Sequence, residues 1–346
     1  MTHTHEKSVK DAAQTRGSSS VEPDSRPDSV FVRLRSVPSI GLVLLLLAIW
    51  IAAAVLVPRF GSADNMVNIL RQSSDLIIAA IGVMLVLIVA GIDLSIGSLY
   101  GLTSVVLVAV ITSTGSIPLA LAAAMGVGVV VGTLNGLLVE RLRVPAFITT
   151  LGMFYIVLAV AQMLSSGAAL RVPRDSAFQH ITRASLGGVP LLVLVAAVVA
   201  AAAWFLLNRT QFGRSAISLG FNREASRLSG VPVARVTVVC YALAGLLASV
   251  GAILLTSRIQ TGEPTLGGFN TTFEVITAAV VGGTSLFGGR GNVVGVVVGA
   301  IIIRTIGNCI TLLNITPLLY QAVMGSLILL ALLAEALRMR FTGARS

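Results

Sequence analysis

The sequence predicts an all-α membrane protein, a polytopic bundle of about ten transmembrane helices, some of them broken or short. The chain has 346 residues, of which 55% are hydrophobic and only 11% charged, a balance far too apolar for an ordinary soluble domain. Apolar stretches long enough to cross a hydrocarbon layer of about 30 Å recur after residue 38. Because lipid offers no partners to unpaired backbone groups, helices are expected to make up most of the structure.

The expected spans follow one another closely, because little sequence remains between the apolar runs. Glycines bound several of the runs, so half-length helices are expected among them. The ten spans are predicted near residues 39–57, 67–91, 95–113, 117–139, 146–166, 190–207, 233–256, 271–286, 292–313 and 317–337.

Three polar regions lie outside these spans. Residues 1–37 are rich in Ser, Asp, Thr and basic residues without periodicity, which predicts a disordered cytoplasmic tail, and residues 339–346 form a second, short tail. Residues 38–338 are expected to form the membrane domain. Between its sixth and seventh spans lies a polar stretch, residues 213–236, which we call the island and expect to form a short helix outside the bilayer.

The basic residues sort by loop, as the positive-inside rule expects. With the amino end in the cytoplasm, most arginines, including those of the island, fall on the cytoplasmic side. Both chain ends are therefore predicted to be cytoplasmic, and the net charge of +10 indicates contact with membrane lipid rather than nucleic acid. Six basic residues fall on the opposite side: Arg59, Arg71, Arg171, Arg174, Arg183 and Arg258.

The cysteines and histidines do not indicate a disulfide, a metal site or a catalytic site. Cys240 and Cys309 each lie inside an apolar run, so neither a disulfide nor a metal site is expected. A membrane enzyme acting on lipid-linked substrates would need an acid–base pair or a metal cluster. The three histidines argue against one, since His3 and His5 lie in the tail and His180 is alone in an outer loop.

The glycine-rich stretch at residues 282–292 resembles a phosphate-binding loop but lacks the lysine that such a loop requires. The only lysines of the chain are Lys7 and Lys10. No nucleotide-hydrolysing loop of that type is therefore expected in this chain.

Asp93 and Ser95 lie in Gly-Ile-Asp-Leu-Ser-Ile-Gly, residues 91–97, where glycines interrupt two apolar runs. This pattern predicts a broken helix or a tight re-entrant turn, which membrane proteins tolerate only against protein or a water-filled cavity. Asp93 is expected either to cap the next helix or to border a solute pathway, and the two roles are compatible.

Further polar groups fall inside the spans. Glu274 and Arg304 lie in neighbouring spans, and we expect them to pair, as part of a pathway or as an ion pair that fixes helix register. Asn135 is a candidate for an interhelical hydrogen bond. Asp75, close to the outer end of its span, is expected to face water.

Two glycine series have small residues at every fourth position, which allows close approach of helix backbones. This spacing leaves open whether they pack within one subunit or between two, and packing within the subunit is the more frequent case. The series are Gly128, Gly132 and Gly136, and Gly291, Gly295 and Gly299.

Three motifs together resemble the ribose/xylose/arabinose/galactoside permease family, the membrane subunits of bacterial ATP-binding-cassette sugar importers. They are the 91–97 motif, Glu-Ala-Ser-Arg-Leu-Ser-Gly-Val at 224–231, and Ala-Ala-Val-Val-Gly-Gly-Thr-Ser-Leu-Phe-Gly-Gly-Arg-Gly at 278–291. The resemblance covers roughly residues 40–337. Residues 271–277 depart from it, since many relatives carry Glu-Leu-Asp there, and position 304 is more often small or apolar in the family.

The resemblance implies a permease of the bacterial inner membrane that works with a second permease copy or homologue and a periplasmic sugar-binding protein. A separate ATPase, commonly with two domains in one chain, would bind ATP and magnesium, so this chain is expected to hold no cofactor and to be no enzyme. Residues 213–232 of the island would resemble the coupling helix that docks on that ATPase. Its contact residues would be Asn222, Glu224, Ala225, Arg227, Leu228, Gly230 and Val231.

The predicted function is import of a monosaccharide of the pentose or hexose class by alternating access. One alternative is an ion-coupled secondary transporter that uses Asp93 or Glu274. Another is a permease of the same class for nucleosides, polyols or a furanosyl signal molecule. The outer segment at residues 167–189 is expected either to receive the binding protein or to be a merely solvated loop.

Overall fold

A computed structural model describes residues 38–182 and 184–341 of the chain, without the side chains of residues 38, 39, 317, 331, 332 and 334–341. The predicted amino-terminal tail, Arg183 and residues 342–346 lie outside the described part. Within it there are twelve α-helices, and seven of these are long and apolar enough to cross a membrane.

Ten of the helices correspond to the ten predicted spans, and two, α7 and α8, lie within or next to the island. In chain order the helices are α1 (Pro38–Leu56), α2 (Ala63–Ile88), α3 (Ile96–Thr114), α4 (Ile117–Arg141), α5 (Ala146–Ser165), α6 (Leu191–Arg209), α7 (Gln211–Phe221), α8 (Arg223–Leu228), α9 (Val233–Ile259), α10 (Gly268–Val281), α11 (Val293–Leu312) and α12 (Pro317–Phe341).

The strands of the described part are two-residue pieces. β1 (Leu170–Arg171) pairs antiparallel with β4 (Thr261–Gly262), and β2 (Ser185–Leu186) pairs antiparallel with β3 (Val189–Pro190). They lie at the end of the bundle away from the island, which we call the far side; the opposite end is the island side.

Helix α2 forms the centre of the bundle. All of its residues from 73 to 88 are buried, and α9, α11, α10 and α6 pack around it. A helix segment that is buried on every side is apolar all round, which explains the uninterrupted run of uncharged, apolar residues in the second half of α2.

The glycine series of α4 forms a seam with α9. A Cβ added at Gly128 would lie 2.2 Å from the carbonyl oxygen of Gly245, and one at Gly132 would lie 2.2 Å from that of Tyr241. In the second series, a Cβ at Gly295 would lie 2.0 Å from the oxygen of Gly282. Both series therefore pack within this chain, as small residues allow.

Helix α10 corrects the prediction for the eighth span, which was expected at residues 271–286. The helix begins at Gly268 and ends at Val281, because the Gly282–Gly283 pair terminates it and Gly283 adopts φ +88°. Its fourteen residues span about 21 Å, less than a hydrocarbon layer. At the carboxyl end, α12 continues to Phe341, so residues 339–341 are helical.

Candidate functional site

The island and its flanks contain two short helices, where one was expected. Asn222 separates α7 from α8 because its backbone is extended, with φ −155° and ψ 104°. Its side-chain oxygen accepts the Ala225 N–H at 2.9 Å and so caps α8. Gly230, with φ +81°, lies in the turn that leads from α8 to α9.

The surface of α8 combines charge with one large apolar side chain. Arg227 donates to Glu224 at 2.7 Å, one turn apart, and both side chains are exposed. Leu228 is 79% exposed. Ser226 points inward and is bonded to Ser218 at 2.8 Å, which joins α8 to α7.

The island is anchored to the centre of the bundle at Gly220. A Cβ at this position would lie 1.8 Å from the Ile88 carbonyl oxygen and 2.2 Å from the Gly289 nitrogen. Gly289 in turn donates its N–H to Ile88 at 2.8 Å. The island, the last residue of α2 and the glycine-rich loop after α10 therefore meet at one point.

A cleft of about 1000 Å³ opens beside α8, between the end of α4 and the start of α9. Arg223 pairs with Glu140 across the cleft, and Arg227 pairs with Glu224 within α8. Three further arginines of the lining have no carboxylate partner within the described residues, which leaves the cleft positively charged. These are Arg141, Arg143 and Arg235.

The interruption at residues 91–97 occurs as predicted, since α2 ends at Ile88 and α3 begins at Ile96. Asp93 accepts the backbone N–H of Ser95 at 2.9 Å and its hydroxyl at 2.6 Å. Asn135 of α4 donates to the Ser95 hydroxyl at 2.8 Å. All three residues are buried, so the hydrogen bonds of this group fix the turn against α4, while Asn135 Oδ1 accepts no hydrogen bond within the described residues.

Glu274 and Arg304 belong to a larger buried cluster. Arg304 donates to Glu274 at 2.6 Å, to Asp75 at 3.1 Å and to the Gln72 carbonyl oxygen at 3.0 Å. We call Asp75, Arg258, Glu274, Arg304 and Tyr320 the charge cluster. Two arginines face two carboxylates in it, so the charges balance, as buried ions require.

The expectation that Asp75 faces water is wrong. Its side chain is 2% exposed, and Arg258 binds its second oxygen at 2.9 Å. Sequence reasoning also missed Tyr320, which donates to Glu274 at 2.6 Å. The sequence did contain a signal for the burial of Asp75. Arg258 lies near the end of an apolar run at the level of Asp75, and an arginine at membrane depth needs a partner.

No group of three or more His, Cys, Asp and Glu residues able to hold a metal ion occurs among the described residues. Cys240 and Cys309 are both free, and the former is buried. The buried polar groups at residues 91–97 and in the charge cluster bind one another and the backbone, which is typical of side chains that fix helix positions.

Residues 65–332 match the family described as branched-chain amino acid transport system / permease component. The ribose import permease protein RbsC of Escherichia coli is 36% identical over 85% of this chain and 92% of its own length. The L-arabinose transport system permease protein AraH of the same species is 32% identical over 89% and 94%. The fructose import permease protein FrcC of Rhizobium meliloti is 36% identical over 86% and 83%. No solved structure matches the chain.

Proposed function

The chain belongs to the permeases of ATP-binding-cassette sugar importers, and from this premise we propose that it moves a monosaccharide across the bacterial inner membrane, driven by a separate ATPase subunit. The sugar is of the pentose or hexose class and is delivered by a periplasmic binding protein. The observation that carries the proposal is the island, a polar pair of helices fixed directly to the central helix of a multi-pass membrane permease.

The island side of the bundle is the cytoplasmic side. Its unpaired arginines support this orientation, because cytoplasmic loops carry an excess of Arg and Lys. Both chain ends then face the cytoplasm, and the far side, with the segment between α5 and α6, faces the binding protein.

The ATPase binds the island. Asn222, Glu224, Ala225, Arg227, Leu228, Gly230 and Val231 are the proposed contacts. The exposed Leu228 beside an exposed ion pair supports this role, since interfaces combine an apolar anchor with a polar rim. The positively charged cleft beside α8 gives an acidic element of the ATPase a complementary surface. ATP and magnesium are bound by that partner, which commonly has two domains in one chain.

Two permease copies, or this chain and a homologue, enclose the pathway, and the bundle alternates between openings on the two sides. When ATP draws the ATPase domains together, the island moves with them, and the contact at Gly220 passes that movement to α2. A neutral sugar needs weak, transient polar contacts along its route, and the binding protein supplies most of the selectivity.

The test begins with affinity purification of the chain from membranes with its partners, followed by reconstitution into vesicles. We expect an ATPase to co-purify, and we expect uptake of ribose, arabinose or fructose to require both ATP and the binding protein. Uptake driven by an ion gradient in the absence of the ATPase would overturn the proposal.

A charge swap then tests the docking surface. Glu224→Arg with Arg227→Glu keeps the ion pair within α8 but reverses the charges that a partner meets, so ATPase binding should fall. Arg174→Glu with Asp175→Arg, a swap of two exposed residues on the far side, is the matched control and should leave ATPase binding unchanged. Equal ATPase binding by both double variants would contradict the docking.

A further inference from the structure

The chain between α9 and α10 leaves the helical pattern while it runs alongside a membrane-spanning helix. Residues 260–267 are non-helical and lie against α3. A Cβ at Gly101 would lie 2.1 Å from the Pro264 carbonyl oxygen, and one at Gly97 would lie 1.9 Å from that of Gly268. Ser104 bonds both the N–H and the C=O of Glu263 at 3.1 Å. This segment therefore descends from the far side along about two turns of α3.

Because of this descent, α10 begins well inside the bundle. Thr272 of α10 accepts the Gly97 N–H at 3.1 Å and donates to the Leu94 carbonyl oxygen at 3.2 Å, beside the start of α3. Irregular backbone at membrane depth is tolerated only where protein surrounds it or where it lines a water-filled cavity. One side of the segment is covered by α3, and the other side is open.

The open side carries polar groups that lipid would not accept. Glu263, Thr265 and Asn270 are exposed. The Glu263 carboxylate accepts the Thr265 hydroxyl at 2.8 Å but meets no cation within the described residues, and Asn270 has no side-chain partner there. A carboxylate facing hydrocarbon is costly, and such residues almost always face a water-filled cavity. This side of the segment therefore faces water.

Aromatic rings continue the same surface towards α5. Phe269 stacks on Phe154 with centroids 4.1 Å apart and planes at 20°, and its centroid lies 6.3 Å from Tyr155 and 6.4 Å from Phe273. Tyr155 is 58% and Phe273 46% exposed. Aromatic faces carry negative charge density and attract the polarised C–H face of a sugar ring, while Glu263 and Asn270 can bind hydroxyl groups.

We propose that Tyr155, Glu263, Asn270 and Phe273 form the sugar-contacting wall of the translocation pathway. This rests on the proposed function, because the sugar is its substrate. The wall is rigid because its backbone is bonded to α3 and because α10 is held by the charge cluster through Glu274.

Thiol labelling tests whether the wall faces water. Single cysteines replace Tyr155, Glu263, Asn270 and Phe273 in a background with Cys240→Ala and Cys309→Ala, and the whole complex in vesicles is treated with a membrane-impermeant thiol reagent. Val130→Cys and Leu134→Cys on α4 are matched controls, because these residues are 58% and 45% exposed, close to Tyr155 and Phe273. The reagent reacts with the thiolate, and a hydrocarbon environment suppresses ionisation of the thiol. The cysteines of the wall should therefore be labelled at least about tenfold faster than the control cysteines. Equal rates at wall and control positions would overturn the proposal.

Uptake kinetics test whether the wall touches the sugar. Phe273→Leu keeps apolar bulk but removes the ring, and Asn270→Leu removes the hydrogen-bonding amide; each should lower the maximum uptake rate about fivefold. The KM, set by the binding protein, should not change, and Phe273→Tyr should retain the rate. Unchanged uptake in both leucine variants would overturn the wall while the proposed function stands. Absence of sugar uptake by the unaltered complex would instead overturn both.

Discussion

Arg304 and Glu274 form a buried ion pair, 2.6 Å from Nη1 to Oε1, between α11 and α10. The same guanidinium reaches Asp75 and a backbone carbonyl of α2. One side chain therefore ties the short helix α10 to the central helix. A helix too short to cross the hydrocarbon layer depends on such ties more than a full span does.

Replacing Arg304 with Leu should destabilise the protein strongly. The substitution leaves Glu274 with only the Tyr320 hydroxyl and removes one of the two cations at Asp75, and breaking a buried ion pair costs about 3–5 kcal/mol. Thermal unfolding of the purified protein in detergent measures the loss. Glu274→Gln should cost less, because the amide oxygen still accepts hydrogen bonds. The prediction fails if Arg304→Leu keeps folding and transport while Glu274→Gln abolishes transport.

Within the charge cluster, Asp75→Ala should cost more stability than Arg258→Ala. Asp75 is 2% exposed and binds both arginines, so its loss leaves Arg258 without a carboxylate and Arg304 with Glu274 alone, whereas Arg258 is 24% exposed and can reach water. Urea or thermal unfolding of the two variants in detergent gives the order. Asp175→Ala, at an exposed position, serves as the reference that should change little. The reverse order would show that the cluster is not centred on Asp75.

Gly128→Ala should destabilise the seam between α4 and α9. The new methyl would lie 2.2 Å from a backbone oxygen, and overpacking of this kind costs about 1–3 kcal/mol. Gly126→Ala, two residues earlier on the same helix, is the matched control, because its Cβ meets nothing within 4 Å. That change should be neutral or raise stability by about 0.5–1 kcal/mol. Similar melting temperatures for the two variants would contradict the close backbone contact.

Asn135→Leu should lower stability by about 1–3 kcal/mol, because it removes the amide that donates to the buried Ser95 hydroxyl. Asp93→Asn should be milder than Asp93→Ala, since the amide oxygen can still accept the Ser95 N–H. Hydrogen exchange at residues 91–97 reports whether the turn loosens. Leu137→Ala, at a half-exposed position of α4, controls for the loss of side-chain volume.

Gly220→Ala should impair uptake while ATPase binding is retained. The methyl would lie 1.8 Å from the Ile88 oxygen, so the island must move away from α2, but the exposed face of α8 is unchanged. ATPase co-purification and sugar uptake, measured on the same preparation, separate the two effects. Normal uptake would show that the contact between Gly220 and Ile88 does not transmit movement of the island to α2. Loss of ATPase binding would show that the substitution disturbs the island itself.

Much of the fold can be predicted from the lengths of the apolar runs. The predictions that failed did so for physical reasons. The pairing of Glu274 with Arg304 was foreseen because two ionisable groups in adjacent spans leave few other partners. Asp75 was misplaced because α2 begins at Ala63 rather than residue 67, which moves Asp75 further from the helix end. Glu263 was missed because its segment has the composition of an ordinary loop; its depth comes from contacts with α3, which local sequence does not encode.

Helix α2 joins the island to the charge cluster without an intervening loop. Ile88 touches the island at one end, and Asp75 lies about 20 Å away along the same helix. Neighbours enclose every residue between them, so the helix has no free side towards which it can buckle. It is a stiff rod, so under the proposed mechanism a displacement of Ile88 would reach Asp75 undiminished in length.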